Sequence, residues 1–188
     1  MTRARFSLFS PAGLMLLMAI TRFHHFGSAA FLPDASLAVF FLTALFGGSR
    51  YLLLALLAEA GAIDYVAISY FNVSDFCVST AYAMLIPAYA AMWWAGIYSR
   101  KFSVYNMAHA VKGLFTALAG SSVAFFISSA GFYWFSGRIA APSWSAFFIS
   151  NSDYYAAYVS AAMLYVMLIM ATVWLWQAVA SAKAIKAV

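Results

Sequence analysis

The sequence predicts an all-α integral membrane protein: one bundle of six transmembrane helices over residues 1–188, with both termini in the cytoplasm. Three observations predict it. Apolar residues make up 66% of the chain and charged residues 8%, where a soluble domain has about a quarter charged. No soluble fold of this length has interior enough for that much apolar surface, so lipid is the solvent for much of it. Six apolar segments follow one another between short polar turns. The basic residues then sort onto one side of those segments, as membrane topology requires.

The first segment covers about Phe6 to Phe23, after the basic start Arg3 and Arg5, with Pro11 tolerable in its opening turn. Ser28-Ala29-Ala30 resembles a signal-peptide cleavage site, but Arg22, His24 and His25 before it do not suit one, so the segment reads as a retained helix. The second segment runs from about Ala35 to Gly48, with Asp34 as a good N-cap. Gly47-Gly48-Ser49-Arg50 is a tight connection to the third, about Tyr51 to Ile68. The loop Ser69 to Asp75 leads to the fourth, about Phe76 to Tyr98, with a kink expected at Pro87. After the polar turn Ser99 to Ser103, the fifth covers about Met107 to Phe135, longer than a span needs. Ser136 to Ser152 is the longest loop, and the sixth segment is about Asp153 to Val179.

With six spans, Arg3, Arg5, Arg50, Arg100, Lys101, Lys183 and Lys186 all fall on the side of the termini, with Lys112 close to it. Only Arg22 and Arg138 fall opposite, where Asp34, Asp64, Asp75 and Asp153 also lie. A miscounted helix would scramble that segregation. The net charge of +5 is therefore a matter of topology and lipid headgroups rather than nucleic-acid binding. There is no Walker motif, glycine-rich nucleotide loop or zinc-spaced His/Cys cluster, so any energy from ATP has to come from another chain.

The stretch Asp64 to Met84 holds the only cysteine, Cys77. A lone thiol forms no internal disulfide, which leaves a small core residue, a reactive thiol or a metal ligand. Read as the start of a helix, Cys77, Thr80, Ala81 and Met84 share one face, and thiolate and thioether suit a late transition metal. His24 and His25 are adjacent, so at most one of them points into a cavity on a helix; headgroup contact is the plain alternative. His109 lies a bilayer away, which disfavours a haem held by two histidines. Glu59 and Asp64 are ionisable groups in the third segment: Glu59 wants a basic partner or a proton, and Asp64 is near enough to the end to be solvated. Ala55, Ala58 and Ala62 form a small-residue face suited to close helix packing. Trp93, Trp94, Tyr98, Trp174 and Trp176 read as one interfacial belt. Tyr65, Tyr70, Phe71, Phe76, Tyr133, Trp134, Trp144, Tyr154 and Tyr155 divide between the other belt and the lining of a pocket for a large flat ligand.

A six-helix protein of this length, with an outward site under its odd-numbered loops, resembles the S-components of energy-coupling-factor transporters. The stretches ITRFHHFGSAAFLPDASLAVFFLTALF and EAGAIDYVAISYFNVSDFCVSTAYAML look like the BtuM-type cobalamin transport proteins. That resemblance implies a bacterial inner-membrane protein that takes up cobalamin, with Cys77 as the lower-face ligand of cobalt and His25, Asp64, Tyr82 and Met84 at matching pocket positions. S-components commonly carry an alanine-x-x-x-alanine pattern on the first helix for docking onto an ATP-driven coupling module. Here Ala12 and Gly13 are followed four positions later by Leu16 and Leu17, which argues against that partner.

The function expected is thus binding of cobalamin, or a related corrinoid, from outside and its movement across the membrane. Cys77 coordinates cobalt, Asp64, Tyr82 and His25 hydrogen-bond the amide side chains, and Met84 packs on the ring. Loss of a cyanide ligand can accompany binding. A rival class is a membrane enzyme with Cys77 as nucleophile and His24 or His25 as base. A third is a structural subunit, in which Cys77→Ala and Asp64→Asn are silent.

Overall fold

The computed structural model describes residues 10–22, 32–76, 78–104 and 106–185, and the side chains among them as far as residue 180. These residues are all helical in architecture, with no strand among them. In chain order they form α1 (Pro11–Arg22), α2 (Ser36–Leu45), α3 (Arg50–Phe71), a 3₁₀ turn (Thr80–Met84), α4 (Leu85–Ser99), α5 (Met107–Phe135) and α6 (Trp144–Ile185). Three of them, α3, α5 and α6, are long and apolar enough to cross a membrane.

The ends of the helices derive from local chemistry. Asn72 ends α3 in the left-handed conformation (φ 52°), and the Val73 N–H turns back to the Ala67 carbonyl at 3.2 Å. Asparagine tolerates that conformation better than most residues. Asn106 caps α5 by accepting the His109 N–H at 3.2 Å. The observed α3 and α5 lie within three residues of the expected third and fifth segments.

The fourth and sixth segments need correction. No α-helix begins at Phe76: residues 72–76, 78 and 79 are irregular, the 3₁₀ turn follows, and the chain becomes α-helical only at Leu85. Thr80, Ala81 and Met84 therefore do not form the α-helical face expected with Cys77, which itself lies outside the described residues. Pro87 sits in the first turn of α4, where its missing N–H has no intrahelical partner to lose, so it starts a helix instead of kinking one. The long loop before α6 shrinks to 136–143, because α6 begins at Trp144. Ser143 caps it, accepting the Ala146 N–H at 3.3 Å. The polar run that read as loop is helical because its side chains bond back to the preceding turn: Asn151 Nδ2 to the Phe147 carbonyl at 2.9 Å, Ser152 Oγ to that of Ile149 at 3.0 Å.

α2 is the centre of the packing. It touches α1, α3, α4 and α6, and every residue from Ser36 to Ala44 is buried. At ten residues it is about 15 Å long, half the hydrocarbon thickness of a bilayer. α4 lies directly on it. A Cβ at Gly96 would overlap the Phe41 carbonyl oxygen and come within 2.7 Å of the Ala44 Cβ, so only glycine allows this approach. Phe40 and Tyr89 stack across the same contact, 4.3 Å apart and nearly parallel. Of the expected small-residue face of α3, Ala58 and Ala62 are exposed and Ala55 is half-buried among the described residues.

Candidate functional site

Two polar constellations stand out in this apolar bundle, one at each end of α2. The first is built around Arg22, the last residue of α1. Its Nε donates to Asp64 Oδ1 at 2.8 Å and its Nη2 to Asp64 Oδ2 at 2.6 Å, a two-pronged pairing of guanidinium with carboxylate. Nη1 donates to Ser36 Oγ at 2.9 Å and to the Tyr89 hydroxyl, and lies 3.4 Å from Asp34 Oδ2. The Tyr82 hydroxyl donates to Asp64 Oδ2. Six elements converge: α1, the segment before α2, α2 itself, α3, the 3₁₀ turn and α4.

The cluster is deep. Side-chain exposure is 3% for Arg22, 6% for Asp64 and 29% for Asp34. Asp64 precedes the end of α3 by seven residues, so it lies about 10 Å below that end. The expectation of a solvated Asp64 is corrected: it is a buried carboxylate with a buried partner. Arg22 is that partner, and sequence reading missed it. The signal was available, since an acidic group inside a span needs a counter-ion and Arg22 was one of two basic residues on the acidic side.

Asp34 does two things. Its Oδ1 accepts the Ser36 N–H at 2.8 Å and the Ser36 hydroxyl at 2.6 Å, so it serves the start of α2 as expected, one position before the helix's own cap, Ala35. Its Oδ2 faces Arg22. The segment is held further by Ala35 N–H to Thr21 Oγ1 at 3.1 Å and by the Tyr165 hydroxyl of α6 to the Pro33 carbonyl at 2.7 Å.

Of the five residues expected to meet a ligand, the structure joins Asp64 and Tyr82 directly. Met84 lies on the same 3₁₀ turn as Tyr82, and its Cβ and Cγ fill the space that a side chain at Gly131 of α5 would take. The turn is tied to α5 again by the Thr80 hydroxyl, which donates to the Phe135 carbonyl. Cys77 and His25, and with them His24, lie outside the described residues. Among the described residues no three His, Cys, Asp or Glu side chains come together as a metal ion would need. Glu59 Oε2 is buried with no hydrogen-bond partner among them, so of the two expectations for it, a basic partner or a proton, the partner is not seen there. His109 lies in the first turn of α5, where its Nδ1 accepts the Ser103 N–H at 3.3 Å.

The aromatic residues expected at this end divide clearly. Trp134 and Trp144 lie 4.2 Å apart and, with Tyr133, surround the buried Phe147, closing the α5–α6 connection. Phe76 contacts Phe132, and the Arg138 guanidinium lies over its ring at 4.3 Å. Both arginines that break the charge segregation are thus engaged, Arg22 by carboxylates and Arg138 by an aromatic face.

The second constellation is at the other end of α2. Arg100 Nε donates to the Ala44 carbonyl at 2.7 Å and Nη2 to the Gly48 carbonyl at 3.0 Å. A guanidinium thereby adds a second donor to the Ala44 carbonyl, which already accepts the Gly47 N–H at 3.1 Å, ties the α2–α3 connection through Gly48, and opposes the negative end of the α2 dipole.

Chemically, the first constellation is a buried ionic network. Asp64 accepts through both oxygens, so a ligand that uses Asp64 has to compete with Arg22, and one that uses the Tyr82 hydroxyl has to compete with Asp64. In comparisons with known proteins, no family model matches this chain and no curated protein matches it.

Proposed function

We propose that this chain is a cobalamin transport protein of the bacterial inner membrane, similar to the S-components of energy-coupling-factor transporters, with six crossings and both termini in the cytoplasm. The observation that carries the reading is the Arg22–Asp64 pair. It joins in space the two stretches on which the resemblance rests, residues 20–46 and 59–85, which the chain keeps 42 positions apart at this contact. Convergence of those stretches is what a shared pocket requires. It accords with the placement of Asp64, Tyr82 and Met84 around one end of the bundle.

In this proposal Cys77 binds cobalt. The thiol gives up its proton and sulfur bonds cobalt on the lower face as the axial group there leaves; electron donation from sulfur weakens the Co–CN bond on the other face, and where that bond breaks, cyanide leaves with the proton as hydrogen cyanide. Cobalt keeps its oxidation state. Asp64, Tyr82 and His25 hydrogen-bond the amide arms, which displace part of the contact to Arg22, and Met84 packs against the ring. The altered alanine pattern of the first helix favours a chain that works without an ATP-driven coupling module.

The test is the visible spectrum of the purified protein after cyanocobalamin is added and the excess removed, beside Cys77→Ala. Retained colour, with a spectrum shifted in the unaltered chain and unshifted in Cys77→Ala, is the expected result. A folded protein that stays colourless overturns the reading, and labelling of Cys77 by an electrophilic substrate analogue then takes precedence as a test of the enzyme class.

A further inference from the structure

The end of α2 opposite the ionic network opens into a depression. Leu45, Phe46, Phe102 and Val104 line an open depression of about 350 Å³, with Arg100 among its lining residues. It lies between the α2–α3 turn and the α4–α5 turn. Arg100 uses Nε and Nη2 on the Ala44 and Gly48 carbonyls, which fixes the guanidinium beside the depression it helps to line. Lys101, the next residue, holds its Nζ 3.2 Å from the centre of the Tyr98 ring, and Arg50 lies over Tyr51 at 5.5 Å.

The charge of this end is one-sided. The five acidic residues of the whole chain are Asp34, Glu59, Asp64, Asp75 and Asp153, and none lies in either turn. α3 starts here at Arg50 and runs 22 residues, about 33 Å, so these turns lie one hydrocarbon thickness from its other end. That is headgroup depth.

We infer that this depression binds one anionic phospholipid, with the phosphate at Arg100 and Lys101 and the start of an acyl chain against Leu45, Phe46 and Val104. Fixed cations supply the phosphate contact, and the surface potential of anionic lipid adds to it for each basic residue near the surface. The apolar floor beside the cations distinguishes a lipid from a free phosphate, which has no use for it. The inference rests on the membrane character of the chain and is independent of its cargo. It gives the short helix a lipid cofactor at the end that Arg100 already closes.

The experiment is native mass spectrometry of the full chain in dodecyl maltoside, with phosphatidylglycerol or phosphatidylcholine of identical acyl chains added at equal ratio. One phosphatidylglycerol retained per chain is expected, with phosphatidylcholine retained at least about fivefold less. Lys101→Gln weakens retention about fivefold. Val104→Trp fills the depression without touching the Arg100 contacts and abolishes retention, with folding checked by circular dichroism. Equal retention of the two lipids overturns the inference. So does unchanged retention by folded Val104→Trp, or full displacement of the lipid by glycerol phosphate. The two-lipid comparison on the unaltered chain decides the matter even where a variant fails to fold.

Discussion

The two ends of α2 are each closed by an arginine, and they are closed in different ways. At the start, Arg22 is buried and meets carboxylates, a tyrosine and a serine hydroxyl. At the end, Arg100 is exposed and its hydrogen bonds go to backbone carbonyls. The first arrangement removes charges from water and holds six elements in register, so losing Arg22 or Asp64 takes from the other its two-pronged charged partner in an apolar interior. The second leaves its cation in contact with water, and losing it returns carbonyls to a solvent that can bond them. A helix end thus depends on an ion pair where water is absent and needs only a cap where water is near.

The largest effect is expected where that contrast is sharpest. Asp64→Asn or Arg22→Gln lowers stability by about 3–5 kcal/mol, the cost of a buried charge stripped of its partner. Thermal unfolding in detergent measures it. The double replacement Arg22→Met with Asp64→Leu removes both charges and loses less than either single change; a double variant that loses the sum of the two would break the interpretation. Tyr82→Phe comes next. It removes one hydrogen bond to a carboxylate that keeps Arg22, for a loss of about 1.5 kcal/mol, and it leaves the helical circular dichroism spectrum unchanged. The smallest effect is at the far end. Arg100→Gln costs about 0.5–1 kcal/mol, the range of a charge opposing a helix dipole at an exposed terminus. A loss there equal to that of Asp64→Asn would erase the distinction between the two ends.

Much of the fold was legible in the sequence, and the failures have physical causes. α3 and α5 read correctly because their apolar runs are bounded by polar residues suited to helix ends: Ser49 and Asn72, Asn106 and Ser136. The start of α6 did not, because composition marks Ser150, Asn151 and Ser152 as loop while their hydrogen bonds are satisfied inside a helix. The fourth segment failed where apolar content hides a change of helix type. Thr80 to Met84 blends into the apolar run of α4, and it is fixed as a 3₁₀ turn by a cap from Ser79 and by tertiary anchors at Phe135, Asp64 and Gly131. At the site, Asp64 and Tyr82 were picked out individually. Their common organiser, Arg22, was not, because the contact links residues 42 positions apart and no local pattern reports such a distance.

The burial of α2 has a consequence for how the protein meets membranes of different thickness. Helices facing lipid adjust to a thicker or thinner bilayer by tilting. α2 spends its length against protein, so no lipid length acts on it, and the contacts at Gly96 and Phe40–Tyr89 hold α4 to it without slack. It behaves as a strut of fixed length, about 15 Å, inside a frame whose outer members can lean. A change of bilayer therefore reaches the bundle as a shift of α3, α5 and α6 around an unmoving centre. The ionic network at one end of the strut and the basic turns at the other are where that shift is felt.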